Sequence, residues 1–247
     1  MTEILGGIHL GCQSWCYRDF RGAEKLAEML KESNLDTLEI CGVHCDFFKE
    51  EDWRKVTDEY KALGITFNSC GINGMNSDEA HLRVLFECAK YAGIKVIGAD
   101  PDNLEAVPVI EKLCDEYGIK IAIHNHGKHH KYGFEEQLDE IFAVSSKNIG
   151  LCLDTGWALD AGLDPVKCIK KYADRLYGVH LKDFTFDEKG DPEETVLGTG
   201  ELDLKGVLEA LREVGFNGYA SLEYEGDASA PVPKISQCVE NLKKAGA

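Results

Sequence analysis

The order of apolar and helical segments predicts one (β/α)8 barrel, a TIM barrel, over residues 1–247. Three observations carry the prediction. Eight short apolar or β-branched runs are each followed by a polar loop and a helix-like stretch, and the chain has the ~250 residues common for this barrel. Glycines also stand where helices must end before strands begin. Strands that alternate with helices pair in parallel, and eight repeats in one chain favour a closed barrel over an open doubly wound sheet.

Taken in order, the strands are expected near 8–14 (IHLGCQS), 35–41 (LDTLEIC), 64–71 (GITFNSCG), 93–99 (GIKVIGA), 118–126 (GIKIAIHNH), 149–154 (IGLCLD), 175–182 (RLYGVHLK) and 218–225 (GYASLEYE). The helices between and after them are expected near 20–33, 51–62, 76–91, 102–116, 134–145, 164–172, 203–214 and 231–245. Their apolar residues recur at three- and four-residue spacing, as in Leu204, Val207, Leu208 and Leu211, which gives each helix one face for the sheet. Gly64, Gly93, Gly118 and Gly215 each close a helical pattern just before a strand, where a left-handed helix end costs glycine least. No internal linker interrupts the repeats.

Composition narrows the function. No stretch approaches the ~20 apolar residues of a membrane span, and the start, MTEILGGIHL, lacks the pattern of a signal peptide; a cytoplasmic protein without a membrane partner is expected. Ten scattered cysteines with no C-x-x-C pair are expected to be reduced core fillers. The C-x-x-x-C spacings at Cys12/Cys16 and Cys41/Cys45 are looser than zinc pairs usually are. A formal net charge of −17 repels a nucleic-acid backbone, so a small-molecule partner fits better. A homo-oligomer remains open.

The chemistry is written at the strand ends. Alternate residues of a strand face opposite ways, so His124 and His126 share a face with Ala122, while Ile121, Ile123 and Asn125 take the other. The same alternation pairs Cys152 with Asp154, Gly178 with His180 and Lys182, and Ser221 with Glu223 and Glu225. Four strands thus place a small residue two positions before a candidate ligand, and Thr37 and Glu39 stand in that relation on the second strand. In a parallel barrel this face points inward, so His124, Asp154, His180 and Glu223 converge at the C-terminal mouth, where barrel enzymes keep their sites. Imidazole and carboxylate together suit one Mn²⁺, Co²⁺, Zn²⁺ or Fe²⁺ ion better than Mg²⁺. His129 and His130 are expected on the following loop, outside the ligand set, and His9, His44 and His81 are not expected as ligands. Trp15 and Trp157, near strand ends, are candidates to stack on a sugar. The G-x-G of GTGELD reads as a turn with Asp203 as a helix cap rather than a phosphate cradle.

The blocks LEICGVH, GIKIAIHNHG, GLCLDTGWALDAGLDP, LYGVHLKDF and GTGELDLKGVLEALREVGFNGYASLEYE resemble successive blocks of the xylose-isomerase-like TIM barrels, the sugar phosphate isomerase/epimerase superfamily. That resemblance implies a single divalent metal held by the fifth-strand residue, the Asp of an LDT block, the His of a VHLKD block and a last-strand Glu. These positions match His124, Asp154, His180 and Glu223, and the VHLKD block adds Asp183 as a substrate-binding candidate. Two positions depart from the pattern: His124 stands where the family usually has glutamate, and Trp157 where it often has histidine.

The expected activity is metal-dependent isomerisation or epimerisation of a ketose, sugar phosphate or related polyol through an enediolate. A dehydratase or lyase of a keto-sugar or keto-inositol is the nearest alternative. An endonuclease IV-like nuclease is disfavoured by the charge and the missing ligands, and a non-catalytic sugar-binding subunit is the remaining reading. Glu223 is expected as ligand and base, with His126 or Lys182 acting opposite it and Glu39 approaching from the far side. His124, its lone pair spent on the metal, is expected as ligand only.

Overall fold

The computed structural model describes residues 2–246. Its strands are β1 (Glu3–Ile4), β2 (Ile8–Gln13), β3 (Thr37–Ile40), β4 (Thr66–Met75), β5 (Val96–Pro101), β6 (Lys120–His124), β7 (Ile149–Asp154), β8 (Leu176–Leu181), β9 (Asp183–Phe186), β10 (Pro192–Thr195) and β11 (Tyr219–Leu222). Its α-helices are α1 (Ala23–Glu32), α2 (Glu50–Ala62), α3 (Glu79–Ala92), α4 (Val107–Tyr117), α5 (Glu135–Ala143), α6 (Thr155–Asp160), α7 (Pro165–Lys171), α8 (Leu204–Glu213) and α9 (Val232–Gly246).

The order β2-β11-β8-β7-β6-β5-β4-β3 is closed by pairing of β3 with β2, and every one of these pairings is parallel. This is the predicted single-domain (β/α)8 barrel. Each expected strand and helix is present within a few residues of its expected place. Gly64, Gly93, Gly118 and Gly215 all take positive φ, between 64° and 83°. All ten cysteines are free and buried. Asp203 caps α8 by accepting the Gly206 N–H at 2.9 Å, so GTGELD is a turn and cap as expected. No helix among the described residues is long and apolar enough to cross a membrane.

The outer faces of the strands and the inner faces of the helices share one apolar core, including Leu10, Leu38, Ile97, Ile121, Leu151 and Val179. Inside the barrel a smaller cluster joins Ala122, Cys152 and Tyr219. Tyr219 faces Gly178 in register, and a Cβ on Gly178 would lie 2.4 Å from the Tyr219 ring. The small residue beneath His180 therefore makes room for a neighbouring aromatic ring, which fills the barrel below the mouth.

Three features differ from expectation. β6 ends at His124, so His126 lies on the following loop rather than on the strand. The cause is Asn125, whose Oδ1 accepts the Asp154 N–H at 2.8 Å and whose Nδ2 donates to the Asp154 carbonyl at 2.9 Å; a side chain replaces the backbone ladder. The loop expected after β7 opens as helix α6. After β8 the chain makes an antiparallel hairpin, β9 with β10, whose strands carry charged and half-buried residues without the long apolar runs that marked the barrel strands.

Candidate metal centre

Four buried side chains meet at the C-terminal mouth. One ligand atom from each of His124, Asp154, His180 and Glu223 lies within 4.8 Å of all the others. They come from the ends of β6, β7 and β8 and from the residue after β11, which are neighbours in the barrel. Asp154 and His180 are paired in register, and Glu223 continues the ladder by donating its N–H to the Leu181 carbonyl.

The four atoms that converge are His124 Nε2, Asp154 Oδ2, His180 Nδ1 and Glu223 Oε2, and each is buried without a hydrogen bond. Buried polar atoms are nearly always partnered, and four orphans aimed at one point fit a cation. Asp154 Oδ2 is 3.5 Å from His124 Nε2 and 3.8 Å from His180 Nδ1. His180 Nδ1 and Glu223 Oε2 are 2.8 Å apart, yet not aligned as donor and acceptor.

The remaining atoms of these residues are tied down. Asp154 Oδ1 accepts the Trp157 N–H at 2.8 Å and caps α6, leaving Oδ2 free. His180 Nε2 lies 2.7 Å from Glu39 Oε2, a carboxylate–imidazole contact that fixes the ring with Nδ1 forward. Glu39 is fully buried and also receives the Tyr219 hydroxyl at 3.4 Å. Its expected approach from the far side of the mouth is therefore corrected: it holds His180 from below. Gly98 allows this, because a Cβ there would lie 3.3 Å from Glu39 Oε1.

The electrostatics suit a metal. Burial pushes the His124 pKa down to about 3, with His180 adding to the effect, so its lone pair is available at neutral pH. Burial likewise raises Asp154 to about 6. Burial opposes the charge on Glu223, but Lys182 and His180 outweigh it and hold the carboxylate well below its usual range.

Lys182 is fully buried and ion-paired to Glu225, with Glu194 Oε2 at 3.6 Å. Burial works against its charge, but Glu223, Glu194, Asp154 and Glu225 hold its pKa above the ordinary lysine value. The four surrounding carboxylates thus favour the charged form of Lys182, and its charge in turn lowers the pKa of Glu223. The expectation for Asp183 is corrected. It is buried, and its carboxylate accepts the N–H groups of Gly198 and Gly200 at 2.9 Å and of Leu202 at 3.0 Å, so it shapes the loop before α8 instead of facing the cavity.

Above the four ligands opens a cavity of about 560 Å³, with His124 and Glu223 in its wall. Trp15, His126 and Trp157 line it. The His126 ring lies 4.4 Å from the Trp157 ring at 30° and 5.6 Å from that of His124. Trp15 donates its Nε1–H to Glu225 at 2.8 Å.

The family model for the xylose isomerase-like TIM barrel matches residues 19–245. The chain belongs to this family. Among curated relatives, an inosose dehydratase of Geobacillus kaustophilus is 33% identical over 136 residues, covering 49% of this chain and 44% of that protein. An inosose isomerase of Bacillus velezensis is 24% identical over 232 residues, covering 84% and 78%. The chain spans less than half the length of the first of these. The crystal structure of an IOLI protein with a bound zinc atom shares the fold, with a TM-score of 0.69, 21% identity and 96% coverage of each chain.

This family member also uses residues that the strand pattern did not single out. Asn125 joins β6 to Asp154, and the Thr155 hydroxyl donates to the carbonyls of His180 and Lys182. Asp100 and His130 reach the cavity. Gly98 stands two positions before Asp100, the same small-then-polar spacing as at the four ligand strands, and extending the fourth strand past residue 99 reveals it.

Proposed function

We propose that the chain is a divalent-metal-dependent enzyme that moves protons on a ketose, inosose or related polyol through an enediolate, most simply as an isomerase or epimerase. The observation that carries this reading is the set of four orphaned, buried donor atoms beneath an open cavity. His124, Asp154, His180 and Glu223 would hold the ion, and two imidazoles with two carboxylates suit Zn²⁺, Mn²⁺, Co²⁺ or Fe²⁺. When bound, such an ion polarises a carbonyl and the neighbouring hydroxyl and so acidifies the carbon between them.

Glu223 is the base. Lys182 keeps it ionised, and it borders the cavity. It takes the proton from that carbon, and the released electron pair forms the enediolate. His124 would hold the ion through Nε2 and so moves no proton. His126 stands in the cavity wall as the group that returns a proton, which it gives up as imidazolium; burial, with His124 and His130 near by, lowers its pKa and so favours release of that proton. Trp15 and Trp157 offer aromatic faces to the sugar ring.

A dehydratase reading is favoured by the curated relatives and by histidine at His124, which removes the second carboxylate that a symmetric epimerase would use. In that case His126 donates its proton to the departing hydroxyl. Incubating metal-loaded protein with a panel of ketoses, their phosphates and an inosose in D₂O separates the readings. Deuterium beside the carbonyl with conserved mass otherwise marks isomerisation, and loss of water marks dehydration. A fully metallated protein that exchanges no proton on any of them contradicts the proposal.

A further inference from the structure

Round the barrel, β5 lies four strands from β11 in both directions, by β8, β7 and β6 or by β2, β3 and β4. Asp100 near the end of β5 is therefore placed across the mouth from Glu223, and both line the same cavity. Its Oδ1 is buried without a hydrogen bond, 3.2 Å from Lys131 Nζ. His130 Nε2 lies 3.2 Å from the other carboxylate oxygen, Oδ2. The His130 Nδ1 accepts the Tyr132 N–H at 3.4 Å, which assigns the ring proton to Nε2, toward Asp100. A carboxylate held from two sides at a cavity wall is built to receive a donor.

The charges around the cavity point the same way. Its ionic lining, besides the histidines, is Asp100, Glu223 and Glu225. Four cations adjoining these residues, Lys182, Lys131, Arg18 and Lys128, are already engaged. Lys182 pairs with Glu225 and Glu194, and Lys131 with Asp100 and the Pro101 carbonyl. Arg18 donates to the carbonyls of Glu225 at 2.7 Å and Trp15 at 3.3 Å. Lys128 pairs with Asp160 at 3.0 Å and donates to the Gly190 carbonyl at 3.0 Å. A phosphate or carboxylate at the far end of a substrate would find no cation among the described lining residues, whereas hydroxyl groups are donors that a carboxylate accepts strongly.

We infer that Asp100 anchors a hydroxyl at the distal end of the substrate and makes the site selective for uncharged polyhydroxylated ketones over their phosphate esters. The inference rests on the enediolate reading above and names the substrate class for it. Asp100 acts in binding, so its loss raises KM with kcat little changed.

The test measures calorimetric binding to the manganese-loaded protein, with deuterium exchange in parallel, for fructose, fructose 6-phosphate and an inosose. The wild type is expected to bind the inosose or fructose at least about tenfold more tightly than the phosphate ester. Asp100→Asn is expected to lose about tenfold or more for the neutral ligands, as charge-assisted hydrogen bonds are commonly worth that much, while keeping the metal and the melting temperature. Asp100→Ser repeats the measurement should the amide disturb the His130 contact. A phosphate ester bound as tightly as the neutral sugar, or neutral binding unchanged in both variants, overturns the inference alone. If wild-type protein binds and exchanges none of the three, the enediolate reading falls and this inference with it.

Discussion

The two halves of the barrel mouth do different work. β6, β7, β8 and β11 are consecutive neighbours and supply every candidate ligand, whereas the half built from β2 to β5 supplies Gln13, Cys41, Ile72 and Asp100 to the cavity wall. A metal requires donors a few ångströms apart, and adjacent strands lie ~4.8 Å apart, so neighbouring strand ends can bring donors to one point without distorting the backbone. The opposite half is too far away to ligate and is left to shape the space that a substrate fills. Glu39 is the exception that sharpens the contrast: it stands on β3, yet it reaches the ligand half from below, through His180.

The largest effect that would sharpen this division concerns His126, which belongs to the ligand half by position but has no place in the ligand set. His126→Ala should retain the metal and lower turnover by about 10²–10⁴-fold, the contribution expected of a general acid or base. Metal analysis and steady-state rates on one preparation check both parts. Loss of the ion from this variant would make His126 a ligand and break the division.

A smaller effect is expected from Glu39→Gln. The amide can still reach His180 Nε2 but no longer stabilises the ring as a carboxylate does, and outer contacts of this kind are commonly worth about 10–100-fold in metal affinity. Competition against a chelator measures the change. An unaltered affinity would remove Glu39 from the account of how His180 is aimed.

The smallest effect is a slope with pH. In the metal-free protein burial opposes the charge on His180, but the acidic groups around it, Glu39 and Glu223 among them, hold its pKa above the ordinary histidine value. A metal at Nδ1 must displace that proton, so affinity rises with pH. Below about 6 Asp154 also binds a proton, and the slope steepens toward two protons released per ion. A chelator titration at several pH values should show this direction, and an affinity that falls as pH rises would contradict it.

How much of this was legible in the sequence follows the same division. The ligand half could be read because its information is periodic: Ala122 before His124, Cys152 before Asp154 and Gly178 before His180 mark an inward face wherever a strand is recognised. The family resemblance pointed to the same four positions. The other contributions depend on geometry that no period encodes. Glu39 was visible as an inward residue, but its partner comes from β8, 141 positions away. Lys182 shares a face with His180 by alternation, yet its role is decided by Glu194 on a hairpin strand and by Glu225 beyond the end of β11. Asp183 followed the strand as expected, but the turn after β8 directs its carboxylate to three backbone N–H groups. Asp100 is the reverse case: it carries the periodic signature, with Gly98 two positions before it, but lies one residue past the expected strand end at residue 99, inside a strand that runs to Pro101.

Four side chains with orphaned atoms form one candidate metal site. It is tested most directly by metal content per chain, measured by mass spectrometry after dialysis, for the wild type, Asp154→Ala and His180→Ala. The wild type is expected to hold close to one divalent ion tightly and either variant almost none, with the melting temperature of the wild type falling on chelation because the ion binds only the folded chain. Full occupancy in both variants, or a wild-type protein that binds no divalent ion when one is supplied, would contradict it.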